Sequence, residues 1–309
     1  MTTFDPSLLT PPREEEEIYP YRRVWRSIAV ETGILLTLAL VLFILVNYLD
    51  FQLPAPVRTA FNLTLALTPL ALWLGLSWWP ERFVLQPRQR LLTVMVVSAL
   101  AANAVGLPLV NNVFQVDRWL PLSSAITRIV GYTFTVGIVQ EMLKYLVIRY
   151  MVWPDQFRVR LDAVAYAAAS AVGYATVLNL DFVLSGAPPP DAAAIRIFGT
   201  VALQIVTSAV VGYGLAEVCF SRPSPFLLTI TVALAAFMTG LAIPIRAGLV
   251  NATLSLDALG ANPFLNTSAP RPLQGLGFSI ALLVGPLLVL SFLFSSAEQR
   301  EHEAALREV

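Results

Sequence analysis

Three polar residues, Gln140, Glu141 and Lys144, lie close together in an otherwise apolar stretch of the chain. In a helix, Glu141 and Lys144 would share one face about one turn apart, where a carboxylate and an ammonium neutralise each other. A buried carboxylate can act as a general base, and lysine supplies a compact positive charge. Two interpretations stay open: a catalytic or ligand-binding site, or an ion pair that holds this helix against a neighbour.

The rarest residue types limit the chemistry further. Lys144 is the only lysine, Cys219 the only cysteine and His302 the only histidine. One cysteine cannot form an internal disulfide, and together these residues cannot build a cysteine- or histidine-based zinc site. We therefore predict no metal and no cofactor. Basic and acidic residues balance at 20 each, so no charge excess favours nucleic acid as a partner.

A second polar group follows further along the chain, with Asn179 and Asp181 in one apolar stretch and Gln204 in the next. Carboxylates in such stretches usually pair with a cation. The residues alone favour a structural ion pair of Asp181 with one of three arginines, namely Arg118, Arg128 or Arg196.

The composition is that of a membrane protein. Of the 309 residues, 57% are hydrophobic and 13% are charged, and the mean hydropathy is +0.70. About 20 apolar residues cross the hydrocarbon layer as a helix. We count eight such segments: 27–49, 57–79, 91–113, 123–151, 163–184, 197–220, 225–249 and 273–296. The sequence therefore predicts an all-α polytopic membrane protein with about eight transmembrane helices.

The arginines predict the orientation of these helices. Thirteen fall in the tails and loops on one side and five in the loops on the other, and the richer side is normally cytoplasmic. Both termini are therefore expected in the cytoplasm, with a tail over 1–26, a membrane domain over 27–296 and a second tail over 297–309. Glu31 and Glu217 lie near cytoplasmic ends of their spans, where we expect them to reach water.

The polar residues fall in strings that resemble the PrsW family of intramembrane proteases, a relative of the CAAX-protease-like membrane proteins. That family has Glu-Glu-x-x-Lys in one span, then Asp-Gly-x-x-Tyr-Gly and Gly-Phe-Ala-x-x-Glu-Asn in the next, and a His before a Gly-Tyr pair in the third. The resemblance covers residues 128–217. It rests on Gln140-Glu141-Met142-Leu143-Lys144, Leu161-Asp162-Ala163-Val164-Ala165-Tyr166-Ala167, Gly173-Tyr174-Ala175-Thr176-Val177-Leu178-Asn179, and Gln204 before Gly212-Tyr213-Gly214.

The chain departs from the family pattern where the chemistry is expected. Gln140 replaces the first Glu, Leu178 replaces the Glu of the Glu-Asn pair, and Gln204 replaces the His, whereas Glu141, Lys144 and Asn179 are kept. Asp181, about one turn beyond Leu178, is a candidate to replace the missing carboxylate. The resemblance implies that the three spans converge. The span limits instead place Glu141 about 10 Å nearer the cytoplasm than Leu178 and Gln204, at 1.5 Å per residue.

Two functions follow from these matches and departures. The first is a PrsW-like protein of impaired catalysis that acts as a scaffold or accessory subunit of a membrane protein complex. The alternative is an active intramembrane peptidase that cleaves a membrane-anchored substrate, with Glu141 as general base and Lys144 and Asp181 assisting. Transport is a weaker third, because no pair of matching broken spans is evident. The resemblance implies a multi-pass protein of the bacterial inner, or cytoplasmic, membrane. Whether the chain is an enzyme stays open, because most of the expected catalytic groups are replaced.

Overall fold

The computed structural model describes residues 23–84, 87–186, 188–221, 226–251 and 272–307. Within these residues the chain is helical and contains no strand. The longer helices are α1 (Arg23–Tyr48), α2 (Ala55–Glu81), α3 (91–113), α5 (125–151), α6 (Arg160–Gly186), α7 (Pro190–Phe220), α8 (Leu227–Asn251) and α9 (Pro272–Arg307), and a short α4 (Val116–Trp119) connects α3 to α5. The expected all-α architecture is confirmed. The acidic run Glu14–Glu17 of the N-terminal tail lies outside the described residues.

Seven of the described helices are long and apolar enough to cross a membrane, so the expected polytopic membrane protein is confirmed. The remaining predicted span, 123–151, forms the continuous helix α5, which is not among those seven. Its length suffices, but Gln140, Glu141 and Lys144 lower its hydropathy. The least apolar long helix is therefore the one that carries the candidate site.

Helices α6 and α7 form the centre of the bundle. In their most apolar stretches 67% and 89% of the residues are buried, against 22–33% in the other five apolar helices. The two pack against each other along most of their length. Their contact is close because small residues face it: a Cβ on Gly212 would lie 3.0 Å from the Ala163 carbonyl oxygen. The remaining helices surround this pair and face outwards.

Helix α5 is not a regular α-helix throughout. It is α-helical over Ala125–Tyr132 and Ile138–Met151, and a π-helical segment, Thr133–Gly137, joins the two. Gly137 packs on the backbone of Ala236 in α8, where no Cβ would fit. Because a π-helical turn holds an extra residue, this segment sets the rotation of the part of α5 that follows, including residues 140–144.

Candidate functional site

Residues Gln140, Glu141 and Lys144 of α5 point into the bundle. Their exposed fractions are 6%, 0% and 1%. The Glu141 and Lys144 side chains form an ion pair one turn apart, with Lys144 Nζ 2.8 Å from Glu141 Oε1. The sequence prediction that the two share a face and neutralise each other is therefore confirmed.

The ammonium group of Lys144 joins α5 to α7. Its Nζ donates to Gln204 Oε1 at 2.6 Å and to Thr207 Oγ1 at 3.3 Å, in addition to Glu141. An ammonium group has three N–H donors, so these acceptors use all of them. Gln204 in turn donates from Nε2 to Gln140 Oε1 at 2.6 Å. We call these five residues (Gln140, Glu141, Lys144, Gln204 and Thr207) the Lys144 cluster.

Helix α6 closes the third side of the cluster. The ring of Tyr174, a residue of the glycine-led motif, has its centroid 5.9 Å from Lys144 Nζ, and the side chain is 1% exposed. The Tyr174 hydroxyl lies against Gly106 of α3, at a place that any Cβ on residue 106 would fill. The three spans of the motif therefore meet at one buried ammonium group, within an interior of low polarity.

The expected depth difference between Glu141 and Gln204 is wrong. Both side chains bond the same Lys144 Nζ atom. The prediction began the sixth span at residue 197, whereas α7 begins at Pro190. The added turns place Gln204 near the middle of its helix, level with the long side chain of Lys144.

The other motif-equivalent residues stay outside the Lys144 cluster. Leu178 is half-buried, and Asn179 is buried with neither side-chain atom bonded to another described residue. Asp181 is exposed, two residues beyond the buried Asn179 and so on another face of α6. It forms no ion pair with a described residue, and Arg118, Arg128 and Arg196 make other contacts. The structural pairing predicted from the residues is therefore not formed.

Some buried polar atoms near the middle of the bundle lack a hydrogen-bond partner among the described residues. They include Glu141 Oε2 and Ser208 Oγ, besides both atoms of the Asn179 amide. Such atoms are uncommon in protein interiors, because leaving one unbonded costs about 1–3 kcal/mol. Glu141 Oε2 is thus the one carboxylate oxygen of the Lys144 cluster that accepts no hydrogen bond from a described residue.

A second buried ion cluster holds the motif residue Asp162 at the start of α6. Arg88 donates from Nε to Asp162 Oδ1 at 2.7 Å and from Nη1 to Glu81 Oε2 at 3.0 Å. Asp162 Oδ2 also accepts the backbone N–H groups of Arg158 and Val159, as a residue of the first helical turn commonly does. We call Glu81, Arg88 and Asp162 the Arg88 cluster.

Sequence reasoning missed the Arg88 cluster. It named Asp162 only as part of a motif, and nothing local links that residue to Glu81 and Arg88, which lie more than 70 positions earlier. The motif tyrosine offered a signal, since the Tyr166 hydroxyl donates to the Gln89 carbonyl oxygen at 2.7 Å and so fixes the same loop. The Asp and Tyr of the motif therefore hold the α2–α3 loop on α6.

The seven apolar helices and the buried Lys144 cluster among α5, α6 and α7 define a polytopic membrane protein with an internal polar site. The model of the PrsW family intramembrane metalloproteases matches residues 86–266, more than half of the chain and all of the stretch on which the resemblance rests. The chain therefore belongs to the PrsW family. No curated protein and no solved structure matched it.

The family description implies a metal ion, and the residues of the Lys144 cluster do not fit one. Glu141 is the only carboxylate of the cluster, and the ammonium of Lys144 already binds one of its oxygens. Among the described residues, no three His, Cys, Asp or Glu side chains form a group that could hold a metal ion. A catalytic zinc commonly takes three protein ligands, and this cluster offers one charged donor and two amides.

Proposed function

We propose that this PrsW-family chain has impaired or no proteolytic activity and serves as a scaffold or accessory subunit of a membrane protein complex. The observation that supports the proposal is the closed bonding of Lys144. Its three donors bind Glu141, Gln204 and Thr207, and all four side chains are at most 1% exposed.

Peptide hydrolysis needs two catalytic functions that this cluster is poorly suited to provide. A base or metal must activate water, and a donor must stabilise the oxyanion that forms. The ammonium of Lys144 has no unused donor for an oxyanion, and it neutralises the carboxylate that would serve as base. The amides of Gln140 and Gln204 neither accept a proton at neutral pH nor replace a carboxylate and an imidazole.

The same bonds suit a packing role. Lys144 connects α5 to α7, and the Gln204–Gln140 hydrogen bond repeats that connection. Within a membrane interior, helices associate through close packing and such polar contacts, since lipid and apolar side chains are alike. Polar residues inherited from a catalytic site would in this way continue to hold α5 against α7 after the catalytic activity was lost.

One observation favours the alternative, an active peptidase with Glu141 as general base. Glu141 Oε2 has no partner among the described residues, whereas the ammonium of Lys144 binds the other oxygen, Oε1. It is therefore the atom that would take a proton from water. In this mechanism Lys144 would orient Glu141, whereas the exposed side chain of Asp181 would need a different rotamer or a substrate to take part.

Restoring the family residues separates the two functions. Full-length protein is reconstituted with a membrane-anchored candidate substrate, and fragment release is compared for the native chain, Glu141→Gln, and the triple variant Gln140→Glu, Leu178→Glu, Gln204→His. We expect release only from the triple variant. Release from the native chain that Glu141→Gln abolishes would instead establish the peptidase.

The subunit role has its own test. The protein is extracted from its native membrane in a mild detergent through an affinity tag, and stoichiometric partners are identified. We expect at least one membrane protein to co-purify in a fixed ratio. If the purified particle contains only this chain and detergent, the accessory role is contradicted. That result would not be evidence for peptidase activity.

We further propose that the protein lies in the cell membrane with both termini in the cytoplasm, as the excess of arginine on one side supports. Reporter fusions after residue 309 and in the loop between α7 and α8 should both report the cytoplasm. A fusion between α4 and α5 should report the outer side. Opposite results would reverse the orientation.

A further inference from the structure

A cleft lies apart from the Lys144 cluster, among helices α1, α2, α3 and α6. Its cavity volume is about 60 Å³, which is room for a small polar group, and none of its lining residues belongs to the Lys144 cluster. Ile28, Trp73, Leu76 and Ala168 form apolar walls. Such a concave apolar site with a few polar groups has the character of a ligand pocket.

The polar groups of the cleft are acids and hydroxyls. Glu31, Ser77, Ser27 and Glu81 line it, and none of the described residues that line it is basic. Glu81 is already compensated, because Arg88 binds it through the side chain at 3.0 Å and through the backbone N–H at 2.8 Å. The unbalanced group of the cleft is therefore Glu31.

Glu31 does not reach water as the sequence predicts. Only 4% of the residue is exposed, and Glu217, for which the same was expected, is 9% exposed and pairs with Arg160. Glu31 lies seven residues beyond Val24 in α1, about 10 Å along the helix axis. No ion pair connects it to any described residue. A lone carboxylate at such a depth in a span is costly and usually has a function.

The bonding of Glu31 leaves room for a further donor. Ser77 Oγ donates to Glu31 Oε1 at 2.5 Å. A carboxylate offers about four acceptor positions, so most remain for a ligand. An anion would meet two carboxylates in the cleft, and a hard divalent cation prefers six or more oxygen ligands. A single ammonium group carries the positive charge that Glu31 lacks, and its three N–H donors match the acceptor positions that remain on the carboxylate.

We propose that this cleft binds a primary ammonium group carried on an apolar body, with the ammonium against Glu31 and the apolar part against Trp73, Leu76 and Ile28. Two sources share this chemistry: the headgroup of a membrane lipid such as phosphatidylethanolamine, and a free long-chain amine. The site is independent of peptidase activity, because it shares no residue with the Lys144 cluster.

Two probes test the site on full-length protein. In detergent, dodecylammonium is titrated against dodecanol, which has the same chain without the charge. In nanodiscs, retention of phosphatidylethanolamine is compared with that of phosphatidylcholine by native mass spectrometry, because the quaternary choline group cannot donate a hydrogen bond. The native chain should prefer dodecylammonium by about tenfold or more, as a charge-assisted bond predicts.

Glu31→Gln is the decisive variant, since the amide keeps the shape and can still accept the Ser77 bond. It should abolish the preference for ammonium over alcohol, whereas Asp181→Asn, whose carboxylate lies elsewhere, should preserve it. Binding of both probes assigns the site to the lipid headgroup, and binding of dodecylammonium alone assigns it to a free amine.

An unchanged preference in Glu31→Gln, or none in the native chain, would overturn the proposal. If Glu31→Gln does not fold, Ser27→Trp tests the same site in a second way. The indole narrows the cleft, and Glu31 stays in place. It should weaken both probes in protein that elutes as a single species. Undiminished binding in this variant would also contradict the site.

Discussion

The Lys144 cluster and the Arg88 cluster bury ions in different ways. Lys144 faces one carboxylate, a neutral amide and a hydroxyl, so its cluster has balanced formal charge. Arg88 faces two carboxylates, and the backbone N–H groups of Arg88, Arg158 and Val159 bond the excess negative charge. The comparison teaches that a cluster at the end of the bundle can hold more carboxylates than cations. Loops and the start of a helix supply backbone N–H groups that are free to bond the additional carboxylate. Mid-helix positions lack them, because their N–H groups are used within the helix.

The choice of cation follows the same division. The guanidinium of Arg88 spans two carboxylates through separate nitrogens, which suits its planar fork. The ammonium of Lys144 is a point charge that collects acceptors from two helices at one atom. Arginine in its place would put a larger planar group among α5, α6 and α7, where Tyr174 already lies 5.9 Å away.

Removing the central cation should have the largest effect. Lys144→Met leaves the Glu141 carboxylate buried without its partner, which we expect to cost about 3–5 kcal/mol of unfolding free energy. Reversible unfolding in mixed micelles measures it. The double variant Glu141→Gln, Lys144→Met removes both charges and should recover much of the loss. If the double variant is no more stable than Lys144→Met, the ion pair is not what stabilises the centre.

At the end of the bundle, Asp162→Asn should cost less. It removes one of two negative charges from Arg88 and weakens the bonds from the Arg158 and Val159 N–H groups, for about 1.5–3 kcal/mol. Hydrogen exchange should rise at residues 158 and 159 and leave the centre of α5 unchanged. Exchange that rises equally at both places would mean that the two clusters are one cooperative unit.

A smaller change tests the third acceptor of Lys144. Thr207→Val keeps the shape and removes the hydroxyl, and we expect a loss of about 0.5–1.5 kcal/mol. Thr207→Ser keeps the hydroxyl and is the matched control for stability. A Thr207→Val variant as stable as the native chain would show that the bond at 3.3 Å to Lys144 Nζ does not contribute to stability.

The smallest effect is expected at Asp181. Its side chain is exposed and belongs to neither cluster, so Asp181→Asn should change stability by less than about 0.5 kcal/mol. If the chain is a peptidase that uses Glu141 without Asp181, fragment release should also be unchanged. A rate that falls with Asp181→Asn would assign a catalytic part to this carboxylate.

Hydropathy predicted the helices because the backbone of a segment in lipid must form its hydrogen bonds within that segment. A long apolar segment is therefore expected to be a helix. The convergence of Glu141, Lys144 and Gln204 was available only from the resemblance, since helix ends fixed within several residues cannot give relative depth. The seven-residue error at the start of α7 shows this. The Arg88 cluster and the burial of Glu31 depend on how distant segments pack, which no local pattern encodes.

The π-helical segment Thr133–Gly137 has a consequence for how α5 tolerates insertions and deletions. Deleting one residue there would convert the segment to an ordinary α-helical turn. Because the π-helical turn already accommodates one extra residue, everything beyond it would keep nearly the same rotation and depth, and Lys144 and Glu141 would still face Gln204. A deletion at Ile138 or Val139, in the regular α-helical part, would instead turn the residues beyond it by about 100° and shift them by about 1.5 Å. The π-helical segment thus lets α5 lose one residue without separating its polar side chains from their partners.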